Sequence, residues 1–472
     1  MDAPGNVRVR FAPSPTGHLH IGGLRSAIFN WLFARHNNGI FLLRIEDTDL
    51  ERSKQEYTDS IIASFSWMHI DWDEPIVIQS QRAPRHQEVA QQLLAQGKAY
   101  YCQCTQEQVI ERLSKNSGFD ANFIKYDGYC RTKKNSHGAI RFRISDTVTT
   151  VEWDDLIRGH ISIGADQLDD FIIVRSDGTP MYNFVVVVDD ADMRISHVIR
   201  GEEHIANTPK QILLYQACNF TVPLFAHLPM ILGSDGSKLS KRDAATGVFE
   251  YKQMGYLPDA LFNYLVRLGW SHGDQEIFTK DEMIKFFDLA HVHKKGAIFD
   301  QQKLDWINGV YMRGMSDHDL LTIIQTDSAP TILADLPTWH TQTILLLINI
   351  YKQRAKTVRE LVTDIKALYV RPQQFDPADI AQWIHADSVK QLREIIALLK
   401  ATEPFSTDAL SSAIKEWTKN HTIKMVAIAQ PLRIALLGKT SGPGVFELMP
   451  VLGKTESIER IEHLIRSIQV NP

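Results

Sequence analysis

Long apolar runs are missing from this chain of 472 residues. The most apolar window, Ile344 to Ile350, is far too short to cross a bilayer, so no membrane-spanning helix is expected. The N-terminal stretch MDAPGNVRVR has no apolar core either, and a secretory signal is not expected. Cysteine is scarce: four in a chain of this length argue against a disulfide framework and for a reducing compartment, and a cytoplasmic location is expected. No excess of one charge stands out. The net charge of −5 leaves no overall footprint of a nucleic-acid partner, but a local basic face is compatible with it, because phosphate binding depends on local charge. Internal repeats and low-complexity tracts are absent. What remains is an ordinary globular composition, 44% hydrophobic and 23% charged, long enough for roughly two to four domains.

The first half alternates strand-like and helix-like segments, with Gly and Pro at the switches. Val7, Val9 and Phe11 alternate with polar residues and predict a strand. The turn Pro13-Ser14-Pro15-Thr16-Gly17 follows, and then Leu24, Ala27, Ile28 and Trp31 recur at helical spacing. Ile40 to Ile45 predicts a second strand, so the segment is expected to be a βαβ unit with a parallel sheet. From about 85 to 190 the apolar runs shorten and three of the four cysteines appear, which suggests an insertion. The pattern then returns, with a strand at Ile195, Val198 and Ile199. Thr208-Pro209-Lys210-Gln211 is expected to open a helix, with Thr208 as N-cap, Pro209 at the first helical position and Gln211 completing a capping box. Cys218, after Leu213, Leu214 and Ala217, is expected in the core. Beyond about 315, Leu, Ile, Ala and Gln at helical spacing predict one or two all-helical domains.

Three segments carry chemistry. The first, Arg10-Phe11-Ala12-Pro13-Ser14-Pro15-Thr16-Gly17-His18-Leu19-His20-Ile21-Gly22-Gly23, joins the first strand to the first helix. Its glycines admit a ligand close to the backbone, and free N–H groups at the helix start suit phosphate, to which His20 can donate. The second, Arg44-Ile45-Glu46-Asp47-Thr48-Asp49, sets three carboxylates just past the second strand, at the end where open α/β sheets bind ligands. The third, Gly233 to Arg242, places Lys238 and Lys241 with Ser240 in a small-residue loop that can fold over a polyphosphate. Taken singly, each has a plainer reading as a Gly-rich turn, a solvated acidic loop or an exposed basic turn.

Taken together and in this order, the three resemble the glutamyl-tRNA synthetase family over nearly the whole chain. The first is similar to the class I "HIGH" signature in its glutamyl form, with Gly23 at the last position. The third, Lys238-Leu239-Ser240-Lys241-Arg242, is similar to the "KMSKS" loop. Asp177-Gly178 with Tyr182-Asn183-Phe184, Val188-Asp189-Asp190, Val198 to His204, Phe299-Asp300 with Lys303-Leu304, Trp306, Asn308-Gly309 and Ala429 to Arg433 also match. The resemblance implies an α/β, Rossmann-like class I catalytic domain in two halves, 1–85 and 190–245. It implies an α+β insertion over 86–189 that binds the acceptor stem, a stem-contact region over 246–320, and an all-helical anticodon-binding region over 321–472.

It also implies an activity: ATP-dependent activation of L-glutamate to the adenylate, then transfer to the terminal ribose of tRNA(Glu), with tRNA bound before activation. Arg10, Ser14, Glu46, Tyr182 and Arg200 would surround glutamate, and the arginine forks suit its two carboxylates. His20, Gly22, Glu203, Lys238, Ser240 and Lys241 would hold ATP with Mg2+, with His20, Lys238 and Lys241 carrying the catalytic charge stabilisation. Many members bind a structural zinc in the insertion. Here Cys102, Cys104 and Cys130 supply three thiolates, Thr132 stands where some relatives have His, and Tyr126 is the candidate fourth ligand. Arg354, in Gln353-Arg354-Ala355-Lys356-Thr357-Val358, matches the position where an arginine separates tRNA(Glu) from tRNA(Gln). The plainer reading of that run, with Lys352, Lys356 and Arg359, is a solvated helix face.

A monomer is expected. A glutaminyl enzyme is disfavoured by the helical C-terminal half, and a truncated tRNA-modifying paralogue by the length. A non-catalytic tRNA-binding paralogue is disfavoured by the retained His20, Lys238 and Lys241. A plain nucleotidyltransferase would leave the helical half unexplained. An enzyme that charges both tRNAs stays open at this point.

Overall fold

The structure is a computed structural model that describes residues 7–49, 51–115, 124–239, 247–326 and 341–469. The chain divides into two compact units, Met1–Tyr251 with Pro258–Leu304, and Lys252–Leu257 with Asp305–Pro472.

In the first unit, β1 (Arg8–Phe11), α1 (Ile21–His36) and β2 (Ile40–Ile45) form the expected βαβ unit. β2 spans the six residues that the apolar run marked. β1 pairs parallel with β2 from Arg8 opposite Ile40 to Phe11 opposite Leu43. The strand is buried on both faces, so Arg10 is only 4% exposed beside Val9 at 0%, as parallel sheets require. After α2 (Gln55–Trp67), β3 (Val77–Ile78) adds to the edge of β2. α3 (Ala83–Ala95) leads into β4 (Ala99–Cys102), α4 (Gln106–Leu113), β5 (Ala139–Phe142), β6 (Thr150–Asp155), β7 (Gly159–Gly164) and β8 (Ile172–Val174). β4, β5 and β8 make a small antiparallel sheet. β6 pairs antiparallel with β7, and on its other side parallel with β10 (Leu224–Leu228), which lies beside β9 (His197–Gly201).

Between β8 and β9 lies α5 (Tyr182–Asp192), and between β9 and β10 lies α6 (Thr208–Ala217). In α5 the run Val185–Val188 is at most 1% exposed. Four β-branched residues favour a strand by propensity, and complete burial overrides that weak preference. Ser196 joins the two sheets: its N–H donates to Arg8 O at 2.9 Å, and Leu224 N–H donates to its own carbonyl at 2.9 Å. The strands thus run β3-β2-β1-β9-β10-β6-β7, with β1 and β9 side by side where the order reverses. β11 (Ile231–Leu232) and β12 (Ala297–Ile298) form a short parallel pair, separated in sequence by α7 (Val248–Gln253), α8 (Pro258–Arg267) and α9 (Lys280–Phe286). α8 and α9 pack on α1, with Trp31 edge-on to Phe262 at 5.9 Å.

α6 begins at Thr208, with Asn207 preceding it, and no side chain caps it. The expected capping box is absent. Thr208 Oγ1 turns instead to Arg200 and His227, and Gln211 Nε2 donates to Asn183 Oδ1 at 3.0 Å. Cys218 is half-buried against the main core, as expected of a packing residue.

Among the described residues no strand follows β12. The elements there are α10 (Gln301–Gly314), α11 (Asp317–Thr326), α12 (Thr341–Lys352), α13 (Val358–Tyr369), α14 (Pro377–Trp383), α15 (Ala386–Ala401), α16 (Thr407–Asn420), α17 (Met425–Leu437) and α18 (Val445–Gln469), the last broken at Gly453. Leu392, Ile395, Leu410, Ile414, Leu432 and Leu464 are fully buried and join α15 to α18 in one core. Arg460 is buried inside it and satisfied by Leu436 O at 2.6 Å, Leu368 O at 2.8 Å and Glu456 Oε1 at 2.8 Å. No helix among the described residues is long and apolar enough to cross a membrane.

Candidate active site

A cavity of about 390 Å³ opens at the carboxyl ends of β1 and β9. This is the crevice where the strand order reverses, the usual ligand position in a doubly wound sheet. Arg10, Ser14, Glu46, Tyr182 and Arg200, all five residues expected around glutamate, line it, together with His20 and Glu203 from the expected ATP set. The turn before α1 is held against the end of β2: Glu46 N–H donates to Pro13 O at 2.9 Å. Of the three carboxylates past β2, only Glu46 lines the cavity. Asp47 caps a short turn, accepting from Ser80 N–H at 2.7 Å and Ser80 Oγ at 2.6 Å, and Asp49 pairs with Arg52.

Below the cavity floor lies a buried chain of alternating charge. Arg10 donates to Asp190 through Nε at 3.0 Å and Nη2 at 3.1 Å. Arg44 donates to the same carboxylate at 2.5 Å and to Glu46 Oε1 at 2.9 Å. Burial alone would raise the Asp190 carboxyl, but Arg10 and Arg44 outweigh it and hold it below the ordinary carboxylate range. Glu46 goes the other way: burial raises it more than Arg44 lowers it. Asp190 and Arg44 stand within the matched motifs, but nothing local in the sequence gives either a role; the signals are a double Asp in an apolar helix and an arginine at a strand end. Its neighbour Asp189 serves a different cluster, accepting from His86 and Gln79 at 2.8 Å and from Arg82 at 2.6 Å.

Arg200 reaches the cavity from β9. Its Nη2 donates to Thr208 Oγ1 at 2.9 Å and its Nε to His227 Nε2 at 3.2 Å. Its Nη1 is buried and has no hydrogen-bond partner. Tyr182 Oη and His204 Nδ1 lie 3.1 Å apart on the facing wall. Burial, and then the charge of Arg200, depress His204 to about 4, so this ring is neutral at physiological pH.

At the phosphate end, His20 is the N-cap of α1, and its Nδ1 accepts from Gly22 N–H at 3.0 Å. That bond leaves the proton on Nε2. Burial and the nearby Lys238 both lower the His20 pKa, which keeps the ring neutral. A Cβ at Gly22 would lie 3.3 Å from His20 Nδ1, so glycine keeps this cap uncrowded. The loop to Lys238 closes by a tight turn: Gly233 N–H donates to Ser237 O at 2.8 Å, and Gly236 takes φ +79°, a conformation that favours glycine. Ser240 and Lys241 lie outside the described residues.

The sulfurs of Cys102, Cys104 and Cys130 lie within 4.8 Å of one another. Tyr126 Oη is 3.4 Å from Cys102 Sγ and 3.9 Å from Cys104 Sγ. Three soft sulfurs with a converging oxygen fit a tetrahedral zinc better than a hard cation. Two cations attend the cluster, Arg112 Nη2 at 3.5 Å from Cys104 Sγ and the Arg141 guanidinium 3.7 Å over the Tyr126 ring.

In the helical unit, Arg354 sits in the turn after α12 rather than on a helix face. It is exposed and donates to Gly442 O at 2.6 Å. Lys352, read as part of a basic face, is buried and paired with Asp317 at 2.8 Å. Arg433 donates to the same loop, through Nη1 to Thr440 O at 3.2 Å, so two motif arginines converge on it.

Comparison with known proteins agrees with this geometry. The family described as tRNA synthetases class I (E and Q), catalytic domain, matches residues 6–306, and the anticodon binding domain family matches residues 322–465. The glutamate–tRNA ligase of Trichlorobacter lovleyi is 44% identical over 461 residues, 97% of this chain and 98% of that protein. That of Thermodesulfovibrio yellowstonii is 43% identical over 463 residues, 97% of this chain and 99% of that protein. The crystal structure of the glutamate tRNA ligase of Elizabethkingia meningosepticum in complex with its amino acid superposes with a TM-score of 0.87 at 32% identity, covering 98% of this chain and all of that one. A Rossmann-like sheet with a polar crevice at its switch point, a helical second unit and full-length likeness of this degree lead to one conclusion: the chain belongs to the glutamate–tRNA ligases, class I aminoacyl-tRNA synthetases specific for glutamate.

Proposed function

We propose that glutamate is bound in the cavity between β1 and β9, with its carboxylates on Arg10 and Arg200 and its ammonium toward Glu46. The observation that carries this is Arg200, which lines the cavity and whose buried Nη1 has no hydrogen-bond partner. An unsatisfied guanidinium N–H costs roughly 1–3 kcal/mol until an acceptor arrives.

ATP lies over the N-terminus of α1, passing close to the Cβ-free Gly22, with its phosphates on His20 Nε2–H and Lys238 and with Ser240 and Lys241 assigned to the same site. Glu203, at the cavity rim, belongs to the same nucleotide site. The glutamate carboxylate attacks the α-phosphorus in line, and pyrophosphate departs with Mg2+. A hydroxyl of the terminal ribose of tRNA(Glu) then attacks the adenylate carbonyl, which forms the glutamyl ester and releases AMP. The protein supplies position and charge, with no side-chain nucleophile. The segment 86–189 contacts the acceptor stem, and its Cys102, Cys104, Cys130 and Tyr126 hold a structural zinc. Arg354 reads the last anticodon base: C offers acceptors where G offers donors, and arginine has donors only. ATP–pyrophosphate exchange with and without tRNA(Glu) tests the assignment. Exchange that needs glutamate and tRNA(Glu) together is expected. None under any condition would mean a non-catalytic tRNA-binding protein.

A further inference from the structure

We infer that His227 and Asp155 form a positioning pair that sets the direction of Arg200 and thereby the affinity for glutamate. The inference rests on Arg200 as the carboxylate holder. Asp155 ends β6, His227 lies on β10 and Arg200 on β9, and all three are buried. His227 Nδ1 is 2.5 Å from Asp155 Oδ2, and its Nε2 is 3.2 Å from Arg200 Nε. Arg200 Nε carries hydrogen and cannot accept, so His227 Nε2 must be the acceptor. The ring is therefore neutral, with its proton on Nδ1 and donated to Asp155. Thr208 Oγ1 takes Arg200 Nη2 at 2.9 Å. With these two donors anchored, the plane of the guanidinium is set, and Nη1 is the edge left for substrate.

Asp155 also fixes which of its oxygens does what. Oδ1 accepts three backbone N–H groups, from Arg158 at 2.9 Å, Ile157 at 3.1 Å and His227 at 3.2 Å. Only Oδ2 faces the imidazole. In Asp155→Asn the amide oxygen must stay with those three donors, so the NH₂ points at His227 Nδ1. The imidazole then has to move its proton to Nε2, where Thr208 Oγ1 at 3.1 Å can accept it and Arg200 Nε loses its acceptor. One isosteric change, remote from the cavity, inverts the tautomer and removes an anchor of Arg200.

The test is steady-state aminoacylation of tRNA(Glu) by the full chain. Asp155→Asn is expected to raise the KM for glutamate about tenfold or more and to leave the KM for ATP within about twofold. His227→Gln keeps an acceptor near Nε2 and should stay within about threefold of wild type, whereas His227→Leu should match Asp155→Asn. In the His227→Gln background, Asp155→Asn should add less than about threefold, since no imidazole remains to invert. A glutamate KM for Asp155→Asn within about twofold of wild type overturns the proposal, and so do full multiplicative effects in the double variant. If Asp155→Asn does not fold, equal glutamate KM values for His227→Gln and His227→Leu overturn it instead. Arg200→Lys separates the two layers. An unchanged KM there removes Arg200 from the substrate site altogether. A raised KM there, with a silent Asp155→Asn, removes only the positioning pair.

Discussion

Asp190 clamps the guanidinium of Arg10 with two hydrogen bonds, Nε to Oδ1 at 3.0 Å and Nη2 to Oδ2 at 3.1 Å, with both side chains buried. This clamp leaves Arg10 with one free edge toward the cavity. Asp190→Ala leaves buried Arg10 without its carboxylate partner and Arg44 with Glu46 alone, and should destabilise the protein by roughly 3–5 kcal/mol. Urea unfolding at pH 7 measures it, and a loss below about 1 kcal/mol would contradict the clamp.

The same carboxylate has a signature in pH. Its folded pKa lies below its unfolded value, so its contribution is complete above the ordinary carboxylate pKa. The contribution is lost as pH falls through the depressed folded value. Stability measured from pH 6 to pH 2 should therefore decline on the acid side, and Asp190→Asn should flatten part of that decline.

His20 has two tasks that substitution can separate. As N-cap of α1 it accepts from Gly22 N–H, which Asn can also do, but Asn has no donor at the Nε2 position. His20→Asn should melt close to wild type and lose about 10²–10³ in kcat for pyrophosphate exchange. A kcat near wild type would remove His20 from phosphate binding.

The thiolate cluster predicts metal. Purified protein should contain about one zinc per chain, and Tyr126→Phe should release it to a chelator faster. Glutamate activation should survive in Tyr126→Phe. Elemental analysis without zinc, on protein prepared without chelator, would contradict the site.

How much of this was legible in the sequence follows from range and period. β2 and α1 announce themselves through local periodicity, and Arg10, Glu46 and Arg200 through motifs at strand ends. Arg10 with Asp190 and Arg44 with Asp190 join positions 180 and 146 residues apart, and no local pattern encodes such a pair. His227 sits in a plain apolar strand, and only the fold brings it to Arg200. Thr208 shows a local rule overridden: its hydroxyl is used by a buried arginine in place of capping a helix. The plainer reading of Arg354, a solvated helix face among basic residues, does not hold, because α12 ends at Lys352 and Lys352 itself is buried.

Arg354 gives a prediction about tRNA. Arg354→Gln should relax the preference for tRNA(Glu) over tRNA(Gln) by about 1–3 kcal/mol, the worth of one base contact. Charging both tRNAs side by side decides it, and equal charging by the wild type would leave Arg354 without a selective role.

The most direct test of the account is tRNA(Glu)-dependent pyrophosphate exchange with glutamate and with glutamine, for wild type and Arg200→Gln. Wild type should use glutamate and be nearly inactive with glutamine, because the neutral amide leaves a buried guanidinium unmatched. Arg200→Gln should lose most of its kcat/KM for glutamate and narrow the ratio between the two substrates. Efficient activation of glutamine by the wild type, or an Arg200→Gln variant as active and selective as the parent, would contradict a cavity built around a carboxylate on Arg200.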